Sequence, residues 1–361
     1  MRLALAAALV LGLASSARAD GWMSMRTGYY KERSTRVIQP MIDAQLEISD
    51  TETFEVHGLV DSITSASAAT GAPVMPGQRV PQFDELRYEG GVSYSHAFDG
   101  FRLGGTFKTS TESDYDSNYL GLRGELSLLD KNTVLALNVG RSFDHVTDGV
   151  SGMGNVDASL NVGNASLSLT QLLSPRLVGS LNWDFIDAHG FQANPYRKVT
   201  GGTAPVAEKV PDLRLRNAVY AGVRGILPDG ATTGVLGYRF YIDDWGILAH
   251  TVEARVIREL TRGLELRLRY RFYVQGKADF YEDTYTATQI MNNPYVAADA
   301  KLSAFHTQTF GGQVLAALAL FGVTGSWSEV RMDLIVERIL QTNSFGDAWS
   351  AQLGLVVPVA F

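Results

Sequence analysis

The sequence has 361 residues, no cysteine and a formal net charge of −7, with 31 basic against 38 acidic residues. No disulfide can support the fold, and the acidic balance argues against a nucleic-acid partner. The longest apolar stretch beyond the N-terminus, Val314–Val323, is about half of the roughly 20 residues that a spanning helix needs.

Residues 1–19 read as a secretory signal peptide. Arg2 supplies the basic start, Leu3–Leu13 the apolar run and Ala17-Arg18-Ala19 a small-x-small cleavage site. The mature chain is then expected to begin near Asp20. Cleavage removes Arg2 and Arg18 and no acid, which moves the net charge from −7 to −9.

From residue 20 onward the dominant signal is a period of two. In Gly263–Gln275, Leu264, Leu266, Leu268, Tyr270, Phe272 and Val274 alternate with Glu265, Arg267, Arg269, Arg271, Tyr273 and Gln275. A strand places such alternate side chains on opposite faces. The same alternation runs through Phe101–Lys108, Leu120–Leu128, Leu177–Phe185 and Gln352–Phe361, and the parity of the strand count adds Val37–Glu47 and Met23–Lys31. Runs of about 9–15 residues exceed the usual globular strand of ~5–6 and suit a tilted membrane span.

The connections fall into two alternating classes. Short ones lie at Ser49–Thr51, Asp99-Gly100, Asp130–Asn132, Ser174-Pro175, Pro228–Gly230, Thr261-Arg262 and Gly322–Gly325. Longer ones lie at Ser65–Phe83, Glu112–Ser117, Val146–Asn155, His189–Asp212, Gly276–Ala300 and Gln341–Phe345, with Asp243–Gly246 a short member of that class. Tight turns on one side and long loops on the other are the topology of an outer-membrane barrel. The expected fold is therefore all-β: a single closed antiparallel transmembrane β-barrel over 20–361, of about sixteen strands with fourteen as the alternative, and long external loops near 65–83, 189–212 and 276–300. Closure also explains how so much strand avoids exposed edges.

Several segments carry a family resemblance: GLVDSITSAS (Gly58–Ser67), ESDYDSNY (Glu112–Tyr119), GFQANPYRKV (Gly190–Val199), YRFYIDDWGILAHT (Tyr238–Thr251) and YRFYVQGKADFY (Tyr270–Tyr281). In that order they resemble a bacterial domain-of-unknown-function family of outer-membrane β-barrels. The resemblance implies the barrel and the outer membrane. It implies no activity.

Enzyme motifs are missing: there is no HExxH, P-loop or GxSxG, and no thiol. His57, His250 and His306 fall in strands and could serve a hydrolase as general base, but an ordinary wall position is the plainer reading. Asp114, Asp116 and Asn118 resemble the start of a calcium loop, yet Tyr119 stands where that loop needs glycine. A solvated acidic loop tip, able to bridge lipopolysaccharide weakly through divalent ions, is the reading kept. No catalytic residue, metal or cofactor is expected.

The richest constellation is the face expected to look inward. It carries Arg214, Arg216, Arg224, Arg239, Glu253, Arg255, Glu265, Arg267, Arg269 and Arg271 on later strands, and Asp43, Glu47, Glu55 and Asp61 on early ones. Separated basic and acidic arcs would set a transverse field across a wet pore. The alternative is a network in which neighbours neutralise each other across strands and fill the lumen. Tyr238, Phe240, Trp245, Tyr270, Phe272, Tyr281 and Tyr285 are expected as an interfacial girdle. The functional expectation is a passive pore for small solutes or ions, in contact with outer-membrane lipids and lipopolysaccharide. A structural or surface-interaction barrel is the alternative, and an embedded hydrolase a distant third.

Overall fold

The computed structural model describes residues 20–65, 83–147, 156–195, 197–202 and 204–360. The expected signal peptide, nearly all of the 65–83 loop and Phe361 lie outside the described residues. Sixteen strands form one closed antiparallel barrel. They are β1 (Asp20–Lys31), β2 (Thr35–Glu47), β3 (Glu52–Ser65), β4 (Phe83–Ala97), β5 (Phe101–Thr111), β6 (Tyr115–Leu128), β7 (Thr133–Thr147), β8 (Asp157–Ser174) and β9 (Leu177–Gly190). The remainder are β12 (Leu213–Ile226), β13 (Thr232–Asp243), β14 (Leu248–Thr261), β15 (Leu264–Gln275), β16 (Phe305–Ala317), β17 (Arg331–Gln341) and β18 (Ala348–Ala360). Two short strands, β10 (Lys198–Val199) and β11 (Val206–Ala207), pair with each other in the β9–β12 loop.

Each barrel strand pairs with its neighbour in the chain, and β1 closes the ring on β18 from Asp20↔Ala360 to Lys31↔Trp349. Every backbone row therefore has a partner, the condition for strands to lie in hydrocarbon. Large apolar side chains are exposed around the circumference, among them Leu122 at 67%, Leu268 at 53% and Leu353 at 57%. On each strand they alternate with polar residues, so the outer wall is apolar. This inverts the arrangement of a soluble fold, and among the described residues no apolar cluster fills the centre of the barrel.

The apolar clusters lie instead at the rim that bears the long loops. Trp245, Ile247, Ala278, Tyr281, Ala297 and Leu302 form one, and Val199, Tyr285 and Val296 form another. This corrects the expected girdle: Trp245, Tyr281 and Tyr285 are buried loop-core residues, whereas Tyr238 and Tyr270 are exposed on the outer wall. The opposite rim carries the tight turns, where Gly100, Gly230 and Gly263 take positive φ that other residues seldom adopt. One connection there is longer than expected. The β16–β17 link runs over 318–330 and contains two 3-10 turns, Leu318–Phe321 and Gly325–Glu329.

Two further expectations change. The β5–β6 connection is the three-residue turn 112–114 rather than Glu112–Ser117, so Asp116 and Asn118 are strand residues. Asp116 accepts a hydrogen bond from Thr111 Oγ1 at 2.5 Å, on the face opposite Tyr115, and the three polar residues of the DxDxN stretch do not converge as a calcium loop.

Candidate functional site

One cavity of about 570 Å³ at the loop rim is lined by residues of β6, β7, β8, β9 and β12 together with both long loops. Strands spread over that arc can share a cavity only on the concave side, which fixes the inner face. Counting alternate residues from there through the strand register places all fourteen wall residues singled out above on this face.

Their partners are specific. Arg269 bonds Glu253 at 2.7 Å and Glu337 at 2.8 Å. Arg255 pairs with Glu253 and Arg267 with Glu265. Arg239 pairs with Asp184 at 3.0 Å, and Arg214 with Asp243 at 2.5 Å. On the early strands, Asp61 bonds Arg87 at 2.7 Å and Asp43 bonds His57 Nδ1 at 2.6 Å. Arg216, Arg224, Arg271, Glu47 and Glu55 make no ion pair among the described residues, although Arg271 lies 6.0 Å from the centre of the Tyr273 ring. The wall is thus mostly neutralised locally and carries a few unpaired charges.

Some pairs span two strand intervals. Arg269 on β15 reaches Glu337 on β17 across Gly311 of β16, where an added Cβ would lie 2.9 Å from the Glu337 carboxylate. Arg26 on β1 reaches Asp333 on β17 at 2.9 Å in the same way, across Gly354 of β18. A bare glycine in the intervening strand is what lets the two side chains meet.

At the loop rim the fold gathers charges that strand periodicity alone does not bring together. Glu112 and Asp114, in the β5–β6 turn, come within 4.8 Å of buried Glu85. Glu85 accepts from Ser113 N at 2.8 Å and Ser113 Oγ at 2.5 Å. Burial, then the nearby Asp114, Glu85 and Asp61 carboxylates opposed by Arg87, push Glu112 up to about 7. Four strand positions round the wall, Arg214 and Arg216 enter the same cavity, and the loops add Phe191, Glu208, Lys301 and Leu302.

The two loops hold each other over this mouth. Lys209 and Val296 exchange backbone hydrogen bonds of 2.9 and 2.8 Å. Glu208 of one loop accepts from Ala298 N of the other at 2.7 Å, and its burial raises its carboxyl above the usual range. Arg197 pairs with Asp299. Trp245, in the β13–β14 turn, donates from Nε1 to Leu213 O at 2.9 Å and lies 4.2 Å from the Arg214 guanidinium. A short helix, α1 (Ala287–Asn292), is capped by a reciprocal Thr286–Gln289 pair.

The histidines separate by face. His57 faces inward and contacts Asp43 and, through Nε2 at 3.4 Å, Glu89. His250 and His306 lie on the outer wall, beside Tyr238 and Phe272. Among the described residues no serine hydroxyl bonds a histidine ring.

The residues that sequence reasoning missed are Glu85, Arg87, Glu89, Glu112, Asp184, Asp333 and Glu337. Strand parity would have found most of them, because they occupy inward positions. Glu112 carries no such signal, since it belongs to a turn.

Fold and wall together define a transmembrane β-barrel of sixteen strands with a polar interior and a loop-covered mouth. The chain belongs to the family described as Protein of unknown function (DUF3570), which matches residues 1–335. Among curated proteins no sequence matches it. The chain is similar to several solved structures. One is a BenF-like porin from Pseudomonas fluorescens Pf-5, at 12% identity over 95% of this chain and 99% of that one, with a TM-score of 0.46. OccK3 (OpdO) of Pseudomonas aeruginosa matches at 13% identity over 98% and 99%, with a TM-score of 0.46. OccD3 (OpdP) of the same species matches at 9% identity over 95% and 91%, with a TM-score of 0.49.

Proposed function

We propose that this chain is a passive, non-enzymatic pore of the bacterial outer membrane, delivered there by residues 1–19 and open to small charged or dipolar solutes. The observation that carries the reading is the mouth cavity, in which Glu112 and Asp114 meet Arg214 and Arg216 beneath two interlocked loops. A barrel of about sixteen strands leaves room for water inside. A second lumen cavity of about 560 Å³, lined by Glu47, Glu55, Arg102, Arg123 and Asn138 among others, supports a wet interior nearer the tight-turn rim. A solute would pass the mouth, where acidic and basic edges orient its dipole, and then a wall carrying the unpaired Arg224 and Arg271.

The outer wall supports contact with membrane lipids and, at the loop rim, with lipopolysaccharide. The fourteen wall residues named above act here as lumen lining, and no cofactor is required.

The second reading is a structural barrel with a closed lumen, favoured by the pairing of Arg214, Arg239, Arg255, Arg267 and Arg269 with carboxylates. Purified protein in planar bilayers separates the two. Discrete conductance steps are expected from the pore, whereas a folded barrel that stays silent would leave the structural reading. A hydrolase has less support, since His57 is engaged by two carboxylates.

A further inference from the structure

Among the described residues Arg216 is a half-buried inward arginine without a carboxylate partner. Its Nε is buried with no hydrogen bond, and no carboxylate pairs with it among the described residues. Arg26 and Arg87 also have an orphaned Nε, but both place another guanidinium nitrogen on a carboxylate. Asp243 lies directly across the β12–β13 pair from Arg216, but its carboxylate already accepts five hydrogen bonds. Arg214 Nε and Nη2 and the Tyr241 hydroxyl take Oδ2, while the backbone N–H groups of Trp245 and Ile247 take Oδ1. On the other flank Arg216 meets Ile186, and its inward neighbours along β12 are Arg214 and the buried Ala218. A cation partly drawn out of water without a hydrogen-bonded counter-charge is costly, and Asp243 and Asp244 act on it only through space, without an ion pair.

We infer that the mouth cavity binds a small organic carboxylate, with Arg216 as the primary ligand. This names the solute class of the proposed pore and rests on that reading for its physiological role. Arg216 lines the cavity, as does Lys301 from the opposing loop, and Lys301 has no carboxylate partner among the described residues. A guanidinium presents paired N–H donors that match a carboxylate. Phe191 and Leu302 line the same space and offer an apolar body somewhere to rest. The cavity, about 570 Å³, falls within the size range of small-molecule sites. Arg197 and Arg214 do not compete for the anion, because Asp299 and Asp243 hold them.

The test uses the full barrel in detergent and three probes: hexanoate, inorganic phosphate and hexylammonium. Hexanoate is expected to bind saturably by calorimetry and to raise the melting midpoint, while hexylammonium does neither. Arg216→Gln should weaken hexanoate binding at least ten-fold. It should also raise the melting midpoint without probe, since it removes a half-buried charge that no ion pair holds; an arginine with a merely structural role would lower it. Arg216→Lys, which keeps the charge and loses the planar fork, should bind at intermediate strength and serves if the glutamine variant does not fold. Arg262→Gln, in the exposed β14–β15 turn at the opposite rim, should bind like wild type. Equal hexanoate affinity in the Arg216 variants, no saturable hexanoate binding by the folded protein, or binding of phosphate alone would each overturn the inference. Hexanoate binding by a barrel that is silent in bilayers would remove the pore and leave the site. Conductance without binding would do the reverse.

Discussion

Asp243 faces Arg216 across the β12–β13 ladder, yet it pairs with Arg214, two residues along the same strand. The tight turn after Asp243 explains the offset. Its N–H groups at Trp245 and Ile247 draw one carboxylate oxygen toward the rim, which turns the other toward Arg214. The Asp243 side chain is fully buried there. A single carboxylate thereby closes the β13–β14 turn and anchors Arg214 under Trp245, at the cost of leaving Arg216 alone.

Replacing Asp243 with Asn should be among the most disruptive single changes at the loop rim. It strands Arg214 and weakens the turn, and removal of one partner from a buried pair costs about 3–5 kcal/mol. Urea unfolding in lipid vesicles and faster proteolysis within 276–304 are the expected readouts. An unchanged unfolding midpoint would show that Arg214 does not depend on this carboxylate.

Trp245→Ala should loosen the cover of the mouth. The indole is 5% exposed at the centre of the larger loop cluster, and loss of a buried tryptophan costs about 3–5 kcal/mol. Because the barrel ladder is untouched, the loss should fall on the loops. Single-channel recordings should give larger and noisier conductance than wild type, with the barrel still resistant to protease.

The mouth should respond to pH near neutrality. Glu112 titrates at about 7 against an ordinary 4.5, so the folded state holds its proton more tightly than the unfolded chain does. Its stabilising contribution is complete below about 4.5 and is lost as pH rises through about 7. The same deprotonation adds a negative charge to the mouth, so preference for cations should grow across that interval. Glu112→Gln should flatten both the stability profile and the reversal-potential profile between pH 5 and 8, as measured by melting and by bilayer recordings under a salt gradient.

Selectivity should be most sensitive to the wall arginines that no carboxylate neutralises. Arg224→Gln together with Arg271→Gln should shift the reversal potential toward cations while leaving the fold intact, because neither side chain takes part in an ion pair. Arg269→Gln should instead destabilise the barrel, since it bonds both Glu253 and Glu337 and is the partner of Glu337. Recordings and melts on the same preparations separate the two effects.

Gly311→Val should break the bridge from Arg269 to Glu337. Even the first carbon of the new side chain would come within 2.9 Å of the carboxylate, and overpacking of this kind costs about 1–3 kcal/mol. The β15–β16 and β16–β17 ladders remain, so the expected outcome is a lower melting midpoint for a barrel that still assembles.

The alternation in Gly263–Gln275 was enough to read the wall, because a strand has only two faces and solvent differs between them. Ion-pair partners were less legible. Arg269 and Glu337 are 68 residues apart and meet only through the bare position at Gly311. The aromatic residues misled for a different reason. Trp245, Tyr281 and Tyr285 stand at strand ends or in loops, where an amphipathic ring suits a membrane interface or a loop core equally well, and the packing of 190–212 on 276–304 decided for the core. The β16–β17 connection was underestimated because its apolar Leu318–Phe321 reads as a continuation of the strand before it.

The sequence by itself determined a barrel: period-two hydropathy, two alternating classes of connection and an even strand count are local properties, written in runs of about a dozen residues. Only the tertiary structure decided the mouth, because its chemistry depends on side chains brought together from distant turns, loops and strands. Charge neutralisation falls off steeply with separation, so whether Arg216 has a partner is a question of a few ångströms, which no spacing in the sequence contains.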